Sequence, residues 1–327
     1  MENTEVLILK EMLSAGDSFV SGNRLADIIG VSRVAVWGQM EKLRSQGFEF
    51  EAVRSKGYRL SQRPNALNRI LIEAVLTRNA ENLTIYTEDS VDSTNSEAER
   101  LLANNAPTPF AVFSLEQTSG RGRLGREWHS QNNGNLYSSF AFRPKILPSR
   151  LSTFTLWMGL NICECINSFC RIESKIKWPN DILVSGKKVA GILTEARMDA
   201  DETRDIVLGL GLNVNSQPDN WPEELKMVAT SLSEAARKPI DINRLTAALC
   251  GRIMTAYQQF VVDEHKSVIK EKWPSYDILR NKTVNLHQGE SQISGIAQGI
   301  DSNGSLIIER SDGTRYQARA GEVTSHK

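Results

Sequence analysis

Along residues 1–62, apolar side chains recur at helical spacing three times in succession. Val6, Leu7, Leu9, Met12 and Leu13 describe a first amphipathic helix. The stretch SGNRLADIIG opens on Ser21, a hydroxyl suited to cap a helix, and closes on Gly30, a residue suited to end one. Ser32 then caps SRVAVWGQMEKLRSQG, a third helix expected to turn Val34, Val36, Met40 and Leu43 inward. In FEFEAVRSKGYRL the period changes to two, which predicts two short strands around a Ser-Lys-Gly turn.

A polar, proline-containing stretch, SQRPNAL, follows at residues 61–67, and a longer alternation of strands and helices begins beyond it. Strands are predicted at TIYTEDS, PFAVFSLEQ, NLYSSFAFRP, SKIKWPND and DIVLGLGLNVN, with DILVSGKKVAGILTEAR as a hairpin turning at Ser185 and Gly186. Helices are predicted at TNSEAERLLAN, LWMGLNICECINSFCRI and NRLTAALCGRIMTAYQQFVVDE. From Ile278 onward short strands are separated by turns such as DSNGS and SDGT, the pattern of a small β-barrel. The reading is an α+β chain in four parts. Residues 1–62 form a winged helix-turn-helix and 63–67 a linker. Residues 68–274 form a mixed α/β domain on an antiparallel-rich sheet with its helices to one side, and 275–327 form the barrel.

Composition narrows the picture less than pattern does. With 39 basic and 39 acidic residues the 327-residue chain is neutral, so bulk charge points to neither nucleic acid nor membrane. Distribution is more informative. Residues 1–62 carry eight Lys/Arg and eight Asp/Glu, but every acid lies at or before Glu51. Arg33, Lys42 and Arg44 fall on the third helix, and Arg54, Lys56 and Arg59 fall in the hairpin. Ser32, Arg33 and Gln39 are placed to face base edges, while Lys42, Arg54 and Lys56 are placed to meet phosphates. A protein-contact domain is the alternative for such a helical unit. One module of this size grips a duplex weakly, so a dimer on a two-part site is expected.

Cys163, Cys165 and Cys170 lie together, but on a helix the first two point to different faces, so buried reduced thiols are expected rather than a metal. Reduced thiols suit a cytoplasmic protein. The same helix is interrupted by Asn161, Glu164 and Asn167, too polar for a membrane span, and the acidic N-terminus has no cleavage signature. The four histidines, His129, His265, His287 and His326, show no metal-ligand spacing.

Four stretches carry more chemistry than packing requires. SGRGRLGREWHS sets Arg121, Arg123 and Arg126 among Gly120, Gly122 and Gly125. Glycine lets backbone N–H groups approach a ligand, and arginine offers forked donors to phosphate or carboxylate, so the loop reads as an anion clasp, ordered by its ligand, or as a solvated basic turn. VDSTNSEAER places Ser93, Thr94 and Asn95 at a strand-to-helix junction, where they either cap the helix or face a ligand. KWPNDILVSGKKVAGIL places Lys188 on an apolar return strand, pointing inward. A buried lysine needs an anion, supplied either by Asp181 or by a ligand. GLGLNVN ends a strand in small residues, against which something flat can lie. The cations Arg121, Arg123 and Lys188 outnumber obvious anions, and no nucleophile is paired with a base. That pattern suits a reaction run by positioning and charge neutralisation.

GRGRLGREW, DSTN, KWPND, KKVAGILTE and GLGLNVN, in this order behind a helix-turn-helix, resemble the biotin–protein ligase family in its bifunctional repressor–ligase branch. The resemblance covers essentially the whole chain. It implies an ATP- and Mg2+-dependent ligase with no permanently bound cofactor. Such an enzyme makes biotinoyl-5′-adenylate from biotin and transfers biotin to one lysine of a biotin carboxyl carrier protein or another biotin-accepting carboxylase domain. It further implies biotin-responsive repression at operator DNA by a homodimer favoured by the adenylate, and an SH3-like form for the C-terminal barrel. By position, Ser93, Thr94, Asn95 and Gln117 line the biotin pocket; Arg121, Gly122 and Arg123 form the loop over the adenylate; Lys188 meets the carboxylate or phosphate. Lys188, Arg121 and Arg123 are thus the expected catalytic residues, and Trp128, Asn180, Asp181 and Asn213 lie on the nucleotide side. The chain departs from some members at Leu124 and Glu127, where they are basic, and at Ala229, where they use a tryptophan against adenine; Trp221 lies earlier. A lipoate–protein ligase and a ligand-sensing transcription factor without ligase activity are the competing readings.

Overall fold

The computed structural model describes residues 3–325 except Asn133 and Ala200; the side chains of Asn220 and Ser325, and His326 altogether, fall outside the described set. The described chain separates into two compact units, Met1–Glu81 with Asp241–Ala248, and Asn82–Ile240 with Leu249–Lys327.

The first unit holds α1 (Thr4–Ala15), α2 (Gly22–Ile29), α3 (Arg33–Ser45), the antiparallel hairpin of β1 (Glu49–Val53) and β2 (Gly57–Gln62), and α4 (Arg69–Val75). The caps fall where expected: Ser21 accepts from the Arg24 N–H, Ser32 from the Ala35 N–H, and Gly30 ends α2 in the left-handed region. Ile8, Leu9, Met12, Leu25, Val36, Met40, Leu43 and Phe48 form the core together with Ile70, Leu71 and Ala74 of α4. That last contribution moves the edge of the unit. The polar stretch after the hairpin is also tied down, because Asn243 donates to the carbonyls of Pro64 and Ala66. The compact unit therefore continues past residue 62 and does not end with the hairpin. Val34 departs from its expected inward place. It is 81% exposed, on the same outer face as Trp37, because the core stripe of α3 runs through Val36, Met40 and Leu43.

The second unit is organised by a seven-stranded sheet in the order β3-β4-β5-β9-β8-β7-β6. Its strands are β3 (Thr84–Val91), β4 (Phe110–Gln117), β5 (Leu136–Phe142), β6 (Ser174–Lys177), β7 (Asp181–Val184), β8 (Lys187–Asp199) and β9 (Glu202–Leu212). Only β3 and β4 run parallel; every other neighbouring pair is antiparallel. Two helices, α5 (Thr94–Ala103) and α6 (Phe154–Cys170), cover it. Ala98 and Leu102 of α5 pack with Val207, whose strand partner is Glu195. Thr155 of α6 bonds Thr194, and Gly159 faces Ile192. Residues 192 and 194 of β8 point away from 195, so the two helices lie on opposite faces. The expectation that the helices share one side is corrected by this register.

Four further helices follow: α7 (Glu223–Lys226), α8 (Leu232–Ala236), α9 (Ile242–Val261) and α10 (His265–Tyr276). The sequence pattern gave only α9, since α7 and α8 are too short for a period to show and α10 ends across Pro274. The tail forms a five-stranded antiparallel sheet, β13-β12-β11-β10-β14, from β10 (Thr283–Gln288), β11 (Ser291–Ile300), β12 (Leu306–Glu309), β13 (Arg315–Ala318) and β14 (Glu322–Ser325). Cys163, Cys165, Cys170 and Cys250 are all free, and burial raises each thiol, Cys163 and Cys165 to about 12. No helix among the described residues is long and apolar enough to cross a membrane.

His265 is fully buried against Trp157 and Phe260, with Nε2 2.9 Å from the Thr153 hydroxyl and Nδ1 without a hydrogen bond among the described residues, 3.7 Å from Asp263 Oδ1. Burial pushes its pKa below the ordinary histidine value, only partly offset by Asp263. The unfolded chain then takes up this proton more readily than the native one, so the contribution is complete above the unfolded value of about 6.5 and is lost as pH falls below it. Thermal unfolding between about pH 8 and about pH 5.5 should show a smaller loss of Tm for His265→Gln than for the parent. Equal losses would place the acid sensitivity elsewhere.

Candidate functional site

The pleat that separates the helices also strips one patch of the sheet of side chains. Gly191 pairs with Gly211, and Gly209 with Leu193, so three glycines share the face that carries α5. A cavity of about 290 Å3 opens over them. What lies flat on this floor is a ring of the protein itself. A Cβ on Gly211 would come within 2.5 Å of the Trp128 indole, and one on Gly191 within 2.9 Å. The Trp128 N–H is buried there without an acceptor. Asn95 lies on the third glycine, its Oδ1 2.3 Å from where a Gly209 Cβ would stand.

Ser93 is the first residue ahead of α5, yet its side chain makes no capping bond. The alternative that this motif exists to cap the helix is therefore not used. The Thr94 N–H is instead satisfied by Gln117 Oε1 at 2.8 Å, which the Thr94 hydroxyl also approaches at 3.1 Å. Gln117 donates its Nε2 to Ser130 at 2.9 Å, and the Ser130 hydroxyl donates to the Trp128 carbonyl at 2.8 Å. Just before the helix, hydrogen bonding to Arg100 holds the Asp92 carboxyl at about 2, well below its usual range.

The arginine loop is closed at its base by its own backbone. Trp128 donates to the Gly120 carbonyl at 2.9 Å, and Gly122 to the Arg126 carbonyl at 2.7 Å. Gly120 is required at that closure, since a Cβ would stand 2.4 Å from Ser130 Oγ. The tip turns through two left-handed residues, Leu124 (φ 57°) and Gly125 (φ 73°). Each arginine then finds a protein partner. Arg121 meets Glu195 at 3.0 and 3.3 Å and Ser96 at 2.6 Å; Arg123 donates to Asn180 at 3.3 Å; Arg126 pairs with Glu322. Arg123 is the most enclosed, and burial pushes its pKa down, with Asp181 and Glu322 partly opposing.

Lys188 is half-buried, at 34% side-chain exposure, rather than sealed inside as an inward strand position implied. Its Nζ lies 2.7 Å from Asp181 Oδ1 and 5.0 Å from the centre of the Trp128 ring. Asp181 is thus its partner, one of the two possibilities its position left open. Asn180 is anchored across the hairpin, donating to the Ile192 carbonyl at 2.7 Å and accepting from its N–H at 3.0 Å.

Ser93, Thr94, Asn95, Gln117, Arg121, Gly122, Arg123, Trp128, Asn180, Asp181 and Lys188 all line the one cavity. Asn213 is spent differently. Its Nδ2 donates to the Thr230 carbonyl at 3.1 Å, fastening the segment whose Ala229 bridges to Lys188. Trp221 is buried. On the first unit, Arg33, Lys42, Arg54 and Lys56 are exposed, with Lys56 over the Phe19 ring at 5.7 Å. Gln39 is half-buried with its Oε1 unpartnered, so it is less free to face outward than its helix position suggested.

Cations outnumber anions along this cavity, as expected, with Arg121, Arg123, Arg126, Lys177 and Lys188 against Glu127, Asp181 and Glu322, but most of them are already partnered. Asp181, Glu195 and Glu322 each stand against one of the basic groups, and Gly321–Thr324, from the C-terminal sheet, completes the wall. Glu195 had a legible signal, as a charged residue in an apolar strand at the end of KKVAGILTE. Glu322, nearly two hundred residues from the loop, had none.

Three family models match the chain: the biotin/lipoate A/B protein ligase family at residues 88–213, an HTH domain at 7–59, and the biotin protein ligase C-terminal domain at 281–324. The bifunctional ligase/repressor BirA of Bacillus subtilis (strain 168) is 38% identical over 309 residues, 92% of each chain. Its namesake from Escherichia coli (strain K12) is 29% identical over 324 residues, 99% of this chain and 98% of that one. The biotin protein ligase of Aquifex aeolicus, solved in complex with biotin and ATP, aligns with a TM-score of 0.63 at 32% identity, covering 75% of this chain and 99% of that one.

Because the indole leaves no room over Gly211, Gly211→Ala should lift Trp128 off the floor and away from Lys188. Tryptophan fluorescence should shift to the red relative to the parent, and a Trp128→Phe background should abolish the difference. An unshifted spectrum would mean that the ring tolerates the added methyl.

Proposed function

The chain belongs to the bifunctional ligase/repressor branch of the biotin protein ligase family, and from that premise we propose how its residues divide the work. It is an ATP-dependent biotin ligase and a repressor. In the first half-reaction a biotin carboxylate oxygen attacks the α-phosphorus of ATP, and pyrophosphate leaves. In the second, the ε-amino group of a carrier lysine attacks the acyl carbon of the adenylate; an amide forms, AMP leaves and the amine proton passes to solvent. The acceptor is a biotin carboxyl carrier protein or another biotin-accepting carboxylase domain.

One observation carries the assignment of the site: residues from Ser93 to Gly211, scattered over five motifs, surround a single cavity. Ser93, Thr94, Asn95 and Gln117 offer the donors and acceptors that a ureido ring needs. Arg121, Gly122 and Arg123 cover the adenylate, while Trp128, Asn180 and Asp181 face the nucleotide. Asn213 acts one step back, by holding the Thr230 segment beside Lys188. Lys188 neutralises charge that grows on the carboxylate and phosphate oxygens, and Asp181 keeps it aimed when no such anion is near. The protein contributes position and fixed charge rather than a nucleophile. Mg2+ enters as the counterion of the ATP phosphates and supplies further charge neutralisation there; no cofactor is held permanently.

Residues 1–62 are assigned to DNA binding, with β1–β2 as the wing; 63–67 link them to 68–274, which holds the catalytic residues although Arg69–Val75 and Asp241–Ala248 pack with the first unit, and 275–327 form an SH3-like barrel. Two copies joined as a homodimer read a two-part operator, and the adenylate favours the dimer by binding it better than the monomer. The four free thiols suit a cytoplasmic protein. Labelled biotin, ATP and an acceptor domain, with lipoate as control, test the ligase, while sedimentation and DNA footprinting with biotin, ATP or both test the coupling. Lipoate transfer in place of biotin, or a monomer fraction and footprint indifferent to the ligands, would overturn the respective halves.

Lys188→Met should slow adenylate formation by roughly 100- to 1,000-fold, the effect of losing one donor to a developing anion, with unfolding temperature unchanged. Pyrophosphate release at the parent rate would remove Lys188 from the chemistry. On the DNA side, Lys56→Ala should weaken binding alike for all sequences and lower the slope of log affinity against log salt by about one. A sequence-dependent loss would mean that Lys56 reads bases.

A further inference from the structure

Asn95 has two ends, and what it shows a ligand depends on which way its amide faces. Glu195 decides this. It stands behind the cavity wall on β8, with Oε2 2.6 Å from Asn95 Nδ2 and 3.0 Å from Arg121 Nη2. A carboxylate facing an arginine can only accept, so the NH2 end of Asn95 is compelled to turn toward it. The Leu193 carbonyl, 3.5 Å from the same Nδ2, favours the same orientation. Asn95 Oδ1 is left facing the Ser139 hydroxyl at 2.5 Å. That oxygen cannot donate, so the single Ser139 proton goes to it. The 2.8 Å contact between Ser139 and Thr94 must then be closed by the Thr94 proton. The Thr94 backbone N–H, its hydroxyl proton being spent, carries the chain on to Gln117 Oε1 at 2.8 Å, and Gln117 passes it through Ser130 to the Trp128 carbonyl.

Both ends of this chain lie on the arginine loop. One end is Arg121, held by Glu195, and the other is Trp128. All the bridging members, Asn95, Ser139, Thr94, Gln117 and Ser130, are buried or half-buried, so solvent does not set their proton directions.

We propose that Glu195 is a positioning residue that sets the donor and acceptor pattern of the biotin-side wall and tethers the arginine loop to that wall through Arg121. The inference rests on the biotin role proposed for the cavity. A neutral amide at position 195 brings its own NH2 group. That group lets Asn95 reverse, the reversal passes to Ser139 and Thr94, and Arg121 loses its anion.

Glu195→Gln keeps the shape and removes the charge. The KM for biotin should rise about tenfold or more, the scale of a lost charge-assisted contact, while kcat at saturating biotin changes by about twofold or less. Trypsin cleavage at Arg121–Arg126, measured without biotin or ATP, should accelerate in the same variant. Glu195→Asp, which retains the anion, should restore slow cleavage and gives the loop test a variant if the glutamine fails to fold. The most direct test is an exchange of partners. Asn95→Asp alone sets two carboxylates against each other and should lose biotin binding; Asn95→Asp with Glu195→Gln restores a donor facing an acceptor and should recover at least about tenfold of that loss. Unchanged KM and unchanged cleavage in folded Glu195→Gln, or no recovery in the double variant, overturns the proposal. Because cleavage needs no catalysis, a parent protein that fails to biotinylate any acceptor while the cleavage difference persists would refute the ligand assignment and leave the tether standing.

Discussion

The pairing of β8 with β9 governs the site. Its register puts Gly191, Gly209 and Gly211 on one face, where a sheet would ordinarily carry a layer of side chains. Into that space fit the Trp128 ring and the Asn95 amide, each closer than any Cβ would allow. A slip of β9 by one residue would carry Gly209 and Gly211 to the face covered by α6 and put Leu210 beneath the cavity instead. The adjoining motifs depend on the same alignment. Lys188 stands two positions before Ala190, where β8 begins to pair with β9, and beside an irregularity in the pairing with β7; its Nζ meets Asp181 at 2.7 Å.

Charge in the cavity combines an excess of cations with exchangeable carboxylate partners. Glu195, Asp181 and Glu322 each receive a cation that an anionic ligand would also attract. Half-buried cations such as Arg121 and Lys188 are costly without an acceptor, and a protein carboxylate meets the requirement until a phosphate or carboxylate competes for it. Arg123 shows the other limit. Among the described residues its one hydrogen-bond acceptor is the Asn180 amide oxygen, and burial lowers its pKa. It is the arginine with most to gain from an added negative charge.

The helical unit shows the same economy in apolar terms. Its core needs Ile70 and Leu71, which belong to α4 beyond the polar stretch that looks like a simple tether. On α3, Val34 and Trp37 stand outward, with exposed cations nearby at Arg33 and Lys42. Apolar side chains in that setting match thymine methyl groups as readily as polar ones match base edges.

Much was already written in the chain. Caps at Ser21 and Ser32, the glycine stop at Gly30, the strand periods, the hairpin at Ser185–Gly186 and the five chemical motifs are local matters, set by propensity, turn chemistry and spacing. Other features needed distant parts to meet. The opposite placement of α5 and α6 follows from a register that no single strand states. Neither does any local pattern say that Trp128 would occupy the glycine floor, that Asn213 would turn to Thr230, or that Glu322 would reach Arg126 from the last strand. Hydrogen-bond direction is the extreme case. The orientation of Asn95 depends on a carboxylate one hundred residues away, because an amide is ambiguous until an acceptor-only neighbour resolves it.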